Sequence, residues 1–262
     1  MPGLDHAVIV TRDLPALSAE FEALGFTLTP TAQHPWGTAN RLVQFEGRNF
    51  LELLTVDRPD LIAKEPATTA GGTFSFGRHA ARFLTEREGL AMLALQSTDE
   101  QADLARWRAA GLVTYEPFHF ERQATLPDGN VVRVAFSLAF TTHPAMPDFV
   151  FFTCRQHAPE HFWKPPYQRH ANGAQELVEV AIDVPDPRAL APYLAGLTGS
   201  ACEDTETGVS CAVGTHRISL ARPAAATPSG PAGSAALRIR VAPDAPLRGS
   251  RLRAGGVDLY WV

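Results

Sequence analysis

His6 and Glu52 are the residues of this sequence whose types and positions could do chemistry. His6 lies in an apolar stretch whose alternation predicts a half-buried strand, with His6, Val8 and Val10 on one face. Glu52 lies in the middle of a second apolar stretch that also reads as a strand. Because burying an unpaired charge is costly, a glutamate there needs a proton, a cation or a metal ion. We therefore predict that His6 and Glu52 share a proton or a divalent metal.

Each of the two residues also has a purely structural interpretation. His6 could lie at the edge of the core and donate a hydrogen bond to a backbone carbonyl. Glu52 could pair with Arg41 or Arg48, since a buried carboxylate usually has a cationic partner.

A second group of residues could surround a ligand. His34, Trp36 and Asn40 come just before or within a predicted strand, where an imidazole could titrate, an indole could stack and an amide could orient an oxygen. Arg122 could bind an anionic group, and Phe151 could line an apolar wall. The alternatives are that Trp36 fills the core, that Asn40 satisfies a turn, and that Arg122 lies on the surface.

The aromatic segment 156–173 is a further candidate for ligand binding. It contains His157, Trp163 and His170 among several prolines. Proline-rich segments that cross between two halves of a protein usually bind by packing. A strap that packs the halves together is therefore the favoured interpretation, with ligand binding as the alternative.

Composition excludes several classes of function. The chain has 262 residues, 45% of them hydrophobic, and a formal net charge of -5, so it offers no basic field for nucleic acid. It has no apolar stretch of the roughly 20 residues that cross a bilayer and no leader-like start. Three cysteines without a CxxC pair predict neither a disulfide framework nor a thiolate zinc site. These features favour the cytoplasm.

A repeated unit organises the chain. A predicted strand is followed by a helix capped by Asp13 and ended by Gly25, then by strands at 26–29, 41–45 and 49–56. The spacing recurs with a constant shift of 86, because Asp99 and Gly111 follow Met92 as Asp13 and Gly25 follow His6. A third copy begins near 177 and a truncated fourth near 237.

The repeat predicts an α+β protein of βαβββ modules. We expect an N-terminal domain of two modules at 1–172 and a smaller C-terminal domain, one module plus a truncated one, at 173–262. Residues 223–235, rich in Ala, Pro and Gly, read as a flexible connection.

This module, with Leu4-Asp5-His6, Gly25-Phe26 and Leu51-Glu52-Leu53, resembles the vicinal oxygen chelate superfamily, which includes glyoxalase I, extradiol dioxygenases and bleomycin-resistance proteins. His34-Pro35-Trp36-Gly37-Thr38-Ala39-Asn40-Arg41, with Gln156-His157 and His170-Ala171-Asn172-Gly173-Ala174, is similar to glyoxalase-like domain proteins. The resemblance implies cup-shaped, partly open mixed β-barrels, with metal ligands on the first and fourth strands of each module.

Only one module carries both implied metal ligands. His6 and Glu52 match the ligand positions of the first module. In the second module, Met92 and an apolar residue of 150–152 stand at these positions, and Glu179 stands at the His6 position of the third. A metal held by two protein ligands would be weakly retained.

Three functions follow as hypotheses. The leading one is a glyoxalase-like enzyme, of lyase, isomerase or dioxygenase type, acting on a small molecule with vicinal oxygens. His6, Glu52 and His34 would be catalytic, with a divalent ion (Zn, Fe, Mn, Ni or Mg) or none. The second is a metal-free protein of the bleomycin-resistance type that sequesters a ligand. The third is a metal-free isomerase or lyase using His6 and Glu52 as acid and base. Assembly as a homodimer is one option.

Overall fold

A computed structural model describes residues 3–69, 71–125, 129–223 and 235–262. The N-terminal elements are β1 (Leu4–Val10), α1 (Leu14–Ala23), β2 (Ala32–Gln33), β3 (Thr38–Gln44), β4 (Phe50–Val56), α2 (Pro59–Lys64), α3 (Phe76–Glu86), β5 (Gly89–Gln96), α4 (Glu100–Ala109), β6 (Val113–Thr114), β7 (Phe118–Thr125), β8 (Val131–Thr142), β9 (Val150–Gln156), α5 (Pro159–Phe162) and a 3₁₀ turn (Pro165–Tyr167). The C-terminal elements are β10 (Ala174–Asp183), α6 (Ala191–Thr198), β11 (Cys202–Asp204), β12 (Gly208–Val213), β13 (His216–Ala221), β14 (Ala235–Val241), β15 (Arg251–Ala254) and β16 (Val257–Trp261).

Two mixed sheets carry the repeat. The first has the order β2-β3-β4-β1-β5-β9-β8-β6, with β7 paired to β8, and the second has the order β11-β12-β13-β10-β14-β16-β15. In each module the first and last strands pair in parallel, as β1 with β4, β5 with β9, β10 with β13 and β14 with β16. Neither sheet closes into a barrel within the described residues. The predicted α+β architecture of repeated modules is confirmed.

The pairing of β1 with β5 shows how the first two modules are related. His6 lies opposite Ala94, Ala7 opposite Leu93, and Val8 opposite Met92. In the repeat, Met92 is equivalent to His6 and Ala94 to Val8, so the His6–Ala94 pair is equivalent to the Val8–Met92 pair. Ala7 and Leu93 are equivalent to each other, so their pair is its own counterpart. The two modules therefore face each other across a local twofold axis at Ala7 and Leu93.

Equivalent caps fix the first helix of each of these modules. The Asp13 carboxylate accepts from the Ala16 N–H at 2.9 Å, and Asp99 accepts from the N–H groups at the start of α4. Gly25 and Gly111 follow the helices at positive φ values of 84° and 74°, which glycine adopts without strain. These four predictions are confirmed.

The main apolar core lies between the sheets. Leu4, Ala7 and Ile9 of β1 belong to this core, together with residues of the second sheet such as Leu177 and Trp261. A second, aromatic-rich cluster covers the opposite face of the first sheet. In sequence, the last strand of the first sheet ends at Gln156 and the first strand of the second sheet begins at Ala174. The division into domains at residue 172 stays a prediction.

Two expectations, one about a strand and one about disulfides, are wrong. Residues 26–29 form no strand: Phe26 and Leu28 are buried as a strand would have them, but the Thr27 N–H donates to His170 Nδ1, so no ladder forms. Cys202 and Cys211 are joined as a disulfide, because the pairing of β11 with β12 places them opposite each other.

Two further sequence features are only partly tested. Residues 224–234 of the expected connection lie outside the described residues. Among the described helices, none is long and apolar enough to span a membrane.

Candidate functional site

A β-bulge in β1 brings two neighbouring side chains to one face. The register against β5 shifts between Leu4 and His6, so that Asp5 is an extra residue in the ladder. Leu4, Ala7 and Ile9 all point into the core between the sheets, which leaves Asp5 and His6 on the opposite side. Both polar side chains are almost fully buried.

His6 is held between two carboxylates. Its Nδ1 lies 2.6 Å from Asp5 Oδ1, and its Nε2 lies 3.6 Å from Glu52 Oε2. The ring stacks on Phe50, with 4.3 Å between the ring centroids. Since the Asp5 carboxylate accepts the Nδ1 proton, Nε2 is the ring nitrogen that faces Glu52.

His34 approaches Glu52 from the other side in a matching orientation. Its Nδ1 lies 2.9 Å from Thr38 Oγ1 and its Nε2 lies 4.0 Å from Glu52 Oε1. The ring stacks on Trp36 at a centroid distance of 4.5 Å. Burial, reinforced by the charge of Arg122, lowers the pKa of His34 to about 3. This imidazole is therefore neutral at physiological pH.

Glu52 forms the centre of the site. Asn40 Nδ2 donates to its Oε1 at 2.6 Å, which fixes that oxygen. Burial raises the pKa of Glu52, although the neighbouring His6 and the Asn40 hydrogen bond favour the charged form. The alternative pairing of Glu52 with Arg41 or Arg48 is absent from the described residues, and the guanidinium of Arg41 pairs with Glu22. The buried Asn40 Oδ1 has no hydrogen-bond partner within the described residues.

These groups line a cavity on the aromatic face of the first sheet. It encloses about 460 Å³ of empty space, including its opening. Its walls are His6, His34, Trp36, Asn40, Leu42, Phe50, Glu52, Phe76, Phe120, Arg122, Phe136, Leu138, Phe152, Cys154 and Phe162. The polar groups cluster on one side, against rings that exclude water.

Arg122 is the one guanidinium among these walls. Burial lowers its pKa, and the nearby Glu52 carboxylate opposes this effect. Arg122 forms no ion pair with any carboxylate of the described residues.

Six of the predicted site residues therefore come together in the cavity: His6, Glu52, His34, Trp36, Asn40 and Arg122.

Four other predicted site residues lie elsewhere. Phe151 points into the core between the sheets and contacts Tyr193, so Phe152 lines the cavity instead. His157 binds Ser137 outside the cavity, and Trp163 packs behind Phe162. His170 accepts from the Thr27 N–H and donates to the Gln44 carbonyl, which fastens the strap 156–173 to β3. For these residues of the strap the packing interpretation describes the geometry.

Sequence analysis missed Asp5 and Cys154. The strict alternation of β1 assigned Asp5 to the face opposite His6, and a bulge gives no sequence signal there. Cys154 lies at the end of β9 and lines the cavity. Its distance from His6 in sequence left no local pattern that joins them.

The second module supplies an apolar wall at the equivalent positions. Val8 pairs with Glu52 in the first module, and its counterpart Ala94 pairs with Phe152. Met92 and Phe152 therefore occupy the positions of His6 and Glu52. In the third module, Ser219 takes the Glu52 position and donates to Glu179 at 2.7 Å.

Side chains of the types that bind metals lie on both sides of the His6 ring. The ligand atoms of Asp5, His6 and Cys154 lie within 4.8 Å of one another. In this set, however, Asp5 already binds His6 Nδ1, and burial together with the charges of Asp5 and Glu52 raises the pKa of the Cys154 thiol well above its ordinary value. In the metal-free protein this thiol therefore keeps its proton, which it would have to lose to become a ligand.

The set on the Nε2 side matches a divalent ion by donor type. It consists of two imidazoles and one carboxylate, His6, His34 and Glu52, which is the donor set of many catalytic zinc and non-haem iron sites. His6 Nε2 lies 3.6 Å from Glu52 Oε2, and His34 Nε2 lies 4.0 Å from Oε1. The two imidazoles face different oxygens of one carboxylate, so a shift of these side chains would be needed to bring three donors to one ion.

A family model for the glyoxalase-like domain matches residues 4–198. The chain belongs to the glyoxalase-like domain family. This membership confirms the resemblance to the vicinal oxygen chelate superfamily. The glyoxalase-like match covers both modules of the first sheet and the beginning of the third module.

Solved structures share the glyoxalase-like fold at low identity. A hypothetical protein from Staphylococcus aureus matches with a TM-score of 0.75 at 13% identity, over 100% of both chains. A Mn(II)-bound glyoxalase from Novosphingobium aromaticivorans matches with a TM-score of 0.54 at 10% identity, over 99% of this chain and 81% of that one. A mutant of 4-hydroxymandelate synthase from Streptomyces coelicolor matches with a TM-score of 0.52 at 13% identity, over 92% and 72%. No match was found among curated proteins.

Proposed function

We propose that this protein is a glyoxalase-like lyase or isomerase that transfers a proton at a carbon next to vicinal oxygens of a small molecule. The observation that carries the proposal is the buried Glu52 carboxylate, flanked by the Nε2 atoms of two imidazoles whose Nδ1 atoms are already engaged. The two Nε2 atoms approach the two oxygens of one carboxylate from opposite sides. The Mn(II)-bound glyoxalase among the structural neighbours is consistent with this chemistry.

Glu52 is the proton acceptor in this proposal. Because Asn40 holds Oε1, the other oxygen is available to a substrate. In the metal-free protein, burial raises the pKa of Glu52, which makes its carboxylate a stronger base than an exposed glutamate. The aromatic walls keep water from competing for the proton.

His6, His34 and Glu52 would hold a divalent metal, which would act as a Lewis acid that polarises the substrate oxygens. Two imidazole ligands favour zinc, iron or nickel over magnesium. Asp5 and Thr38 orient the two rings through their Nδ1 atoms.

Elemental analysis and isotope exchange test the proposal. Wild type, His6→Ala, His34→Ala and Glu52→Gln would be loaded with Zn²⁺ or Fe²⁺, desalted, and assayed in D₂O for deuterium uptake into α-hydroxy ketones. We expect metal retention and uptake in wild type and loss of both in the three variants. His157→Gln is the matched control, since that histidine lies outside the cavity. Equal metal content and equal uptake in all proteins would contradict the proposal.

A metal-free sequestering protein is the second candidate. Met92 and Phe152 favour it, because apolar residues stand at the positions that match His6 and Glu52. Tight ligand binding without turnover, unchanged by a chelator, would support this candidate. An activity that survives a chelator but is lost in His6→Ala would instead support the metal-free acid–base enzyme.

A further inference from the structure

A groove lies next to the cavity. It contains about 1230 Å³ of empty space, including its opening. Asn40, Leu42, Arg122 and Phe162 line both the groove and the cavity, so these side chains separate two adjoining spaces. The outer wall of the groove comes from the strap, through His161, Lys164 and Tyr167.

The groove is cationic although the protein is acidic. Arg122 and Lys164 line it, whereas no acidic side chain of the described residues does. The whole chain carries a formal charge of -5. A positive groove is therefore a local feature, against the sign of the net charge, and would attract anions toward the cavity.

Neither cation has a carboxylate at salt-bridge distance in the described part of the protein, although Glu52 lies close enough to Arg122 to favour its charged form. Arg122 and Lys164 form no ion pair with its carboxylates. The Lys164 ammonium donates to the Glu160 carbonyl at 3.0 Å, which positions it without cancelling its charge. By contrast, Arg41 and Arg58 nearby pair with Glu22 and Asp57. Cations left without a carboxylate at the wall of a ligand cavity suit an anionic partner.

The strap is fixed in place by contacts that do not involve these cations. Gln44 donates through its side-chain amide to the Phe162 carbonyl and accepts from the Lys164 N–H. The Gln168 amide donates to the Phe45 carbonyl at 2.8 Å. The backbone that carries Lys164 is thus held against β3, at a fixed position across the groove from Arg122.

We propose that the substrate is an amphipathic oxyanion: an apolar, ring-sized part occupies the cavity beside Glu52, while a carboxylate or phosphate group sits in the groove between Arg122 and Lys164. This inference rests on the proposed function for the identity of the reacting end. The anion-binding part stands on the groove itself. It assigns to Lys164 a substrate-binding role that the sequence did not indicate.

Binding of three matched probes tests the proposal without any turnover. Phenyl phosphate, benzoate and benzamide share the ring and differ in the charged group. Their dissociation constants would be measured by quenching of tryptophan fluorescence, for wild type, Arg122→Gln and Lys164→Gln. Arg169→Gln is the matched control, because Arg169 is an exposed cation of the same strap that does not line the groove.

We expect wild type to bind at least one anion more tightly than benzamide, with the preference shrinking as salt is added. Each of Arg122→Gln and Lys164→Gln should weaken anion binding by about tenfold or more, since a charge-assisted hydrogen bond contributes roughly that much. Benzamide binding should not change. Arg169→Gln should bind all three probes like wild type.

The two anions separate the sources of the oxyanion. A preference for phenyl phosphate indicates a phosphate ester, and a preference for benzoate indicates a carboxylic acid. Equal binding of anions and benzamide, or equal losses in Lys164→Gln and Arg169→Gln, would overturn the proposal. Because no catalytic step is measured, that result would leave the proton-transfer function standing. Conversely, anion binding without deuterium exchange would overturn only the function.

Discussion

Asp5 Oδ1 lies 2.6 Å from Nδ1 of His6, its immediate neighbour in the same strand. In a regular strand these side chains would point to opposite faces. The bulge between Leu4 and His6 removes that separation and makes Asp5 the residue that sets the tautomer of His6. A partner one position away in sequence thus acts as the orienting group of the site.

Replacing Asp5 should weaken metal binding without removing a ligand. In Asp5→Asn, the amide no longer supplies a charged acceptor for the Nδ1 proton, so the Nε2 lone pair is held less firmly. We expect zinc affinity to fall by about 10- to 100-fold, as for other orienting groups. Competition with a chromophoric chelator measures this change. Asp13→Asn, the same substitution at the cap of α1, should leave zinc affinity unchanged, and an equal loss in both variants would contradict the role of Asp5.

Thr38 should contribute to stability through His34. Thr38→Val keeps the shape of the side chain but leaves the buried Nδ1 of His34 without its partner, which costs roughly 1–3 kcal/mol. Thr153→Val is a matched control, because Thr153 Oγ1 is buried with no partner within the described residues. Denaturant unfolding should show a loss for Thr38→Val and little change for Thr153→Val. Similar losses for both would argue against the His34 contact.

Phe151 and Phe152 should separate stability from binding. Both rings are buried, so truncating either to alanine should cost about 3–5 kcal/mol in the free energy of unfolding. Only Phe152→Ala enlarges the ligand cavity, and only this variant should change the affinity for benzamide. Unfolding curves and fluorescence titration measure the two effects. A change of affinity in Phe151→Ala alone would show that the faces of β9 are misassigned.

His79 should make stability depend on pH. Burial lowers its pKa from 6.5 to about 4 in the folded protein. On acidification the unfolded chain therefore takes up the proton first, and stability falls as the pH drops from about 6.5 toward 4. The contribution is roughly 3 kcal/mol over that interval. In His79→Gln, the slope of unfolding free energy against pH should be shallower there. An unchanged slope would contradict the burial effect.

Local patterns predicted the architecture and half of the site. Apolar alternation placed His6 and Glu52 on the correct faces, and the spacing of Asp13 and Asp99 revealed the shift that the register of β1 against β5 confirms. These features depend on neighbours within one element. The sequence did not predict which groups contact the Glu52 carboxylate. These groups are Asn40 and His34, and their positions depend on the path of the loop before β3.

The remaining misassignments share a physical cause. Phe151 was chosen over Phe152 because an uninterrupted apolar run does not reveal its inward face, which the pairing with β5 decides. His170 was predicted to bind a ligand. Its ring instead forms hydrogen bonds with the backbone N–H of Thr27 and the backbone carbonyl of Gln44. Its role depends on segments more than 100 residues apart in the chain.

The local twofold axis at Ala7 and Leu93 relates two walls of the cavity that are alike in backbone and unlike in chemistry. Glu52 lies on one of these walls and the ring of Phe152 on the other. In the proposed reaction, a proton would reach the reacting carbon of a planar substrate from the Glu52 side only. Two modules with the same backbone and different side chains thus give an almost symmetrical frame the handedness that a stereoselective reaction would require.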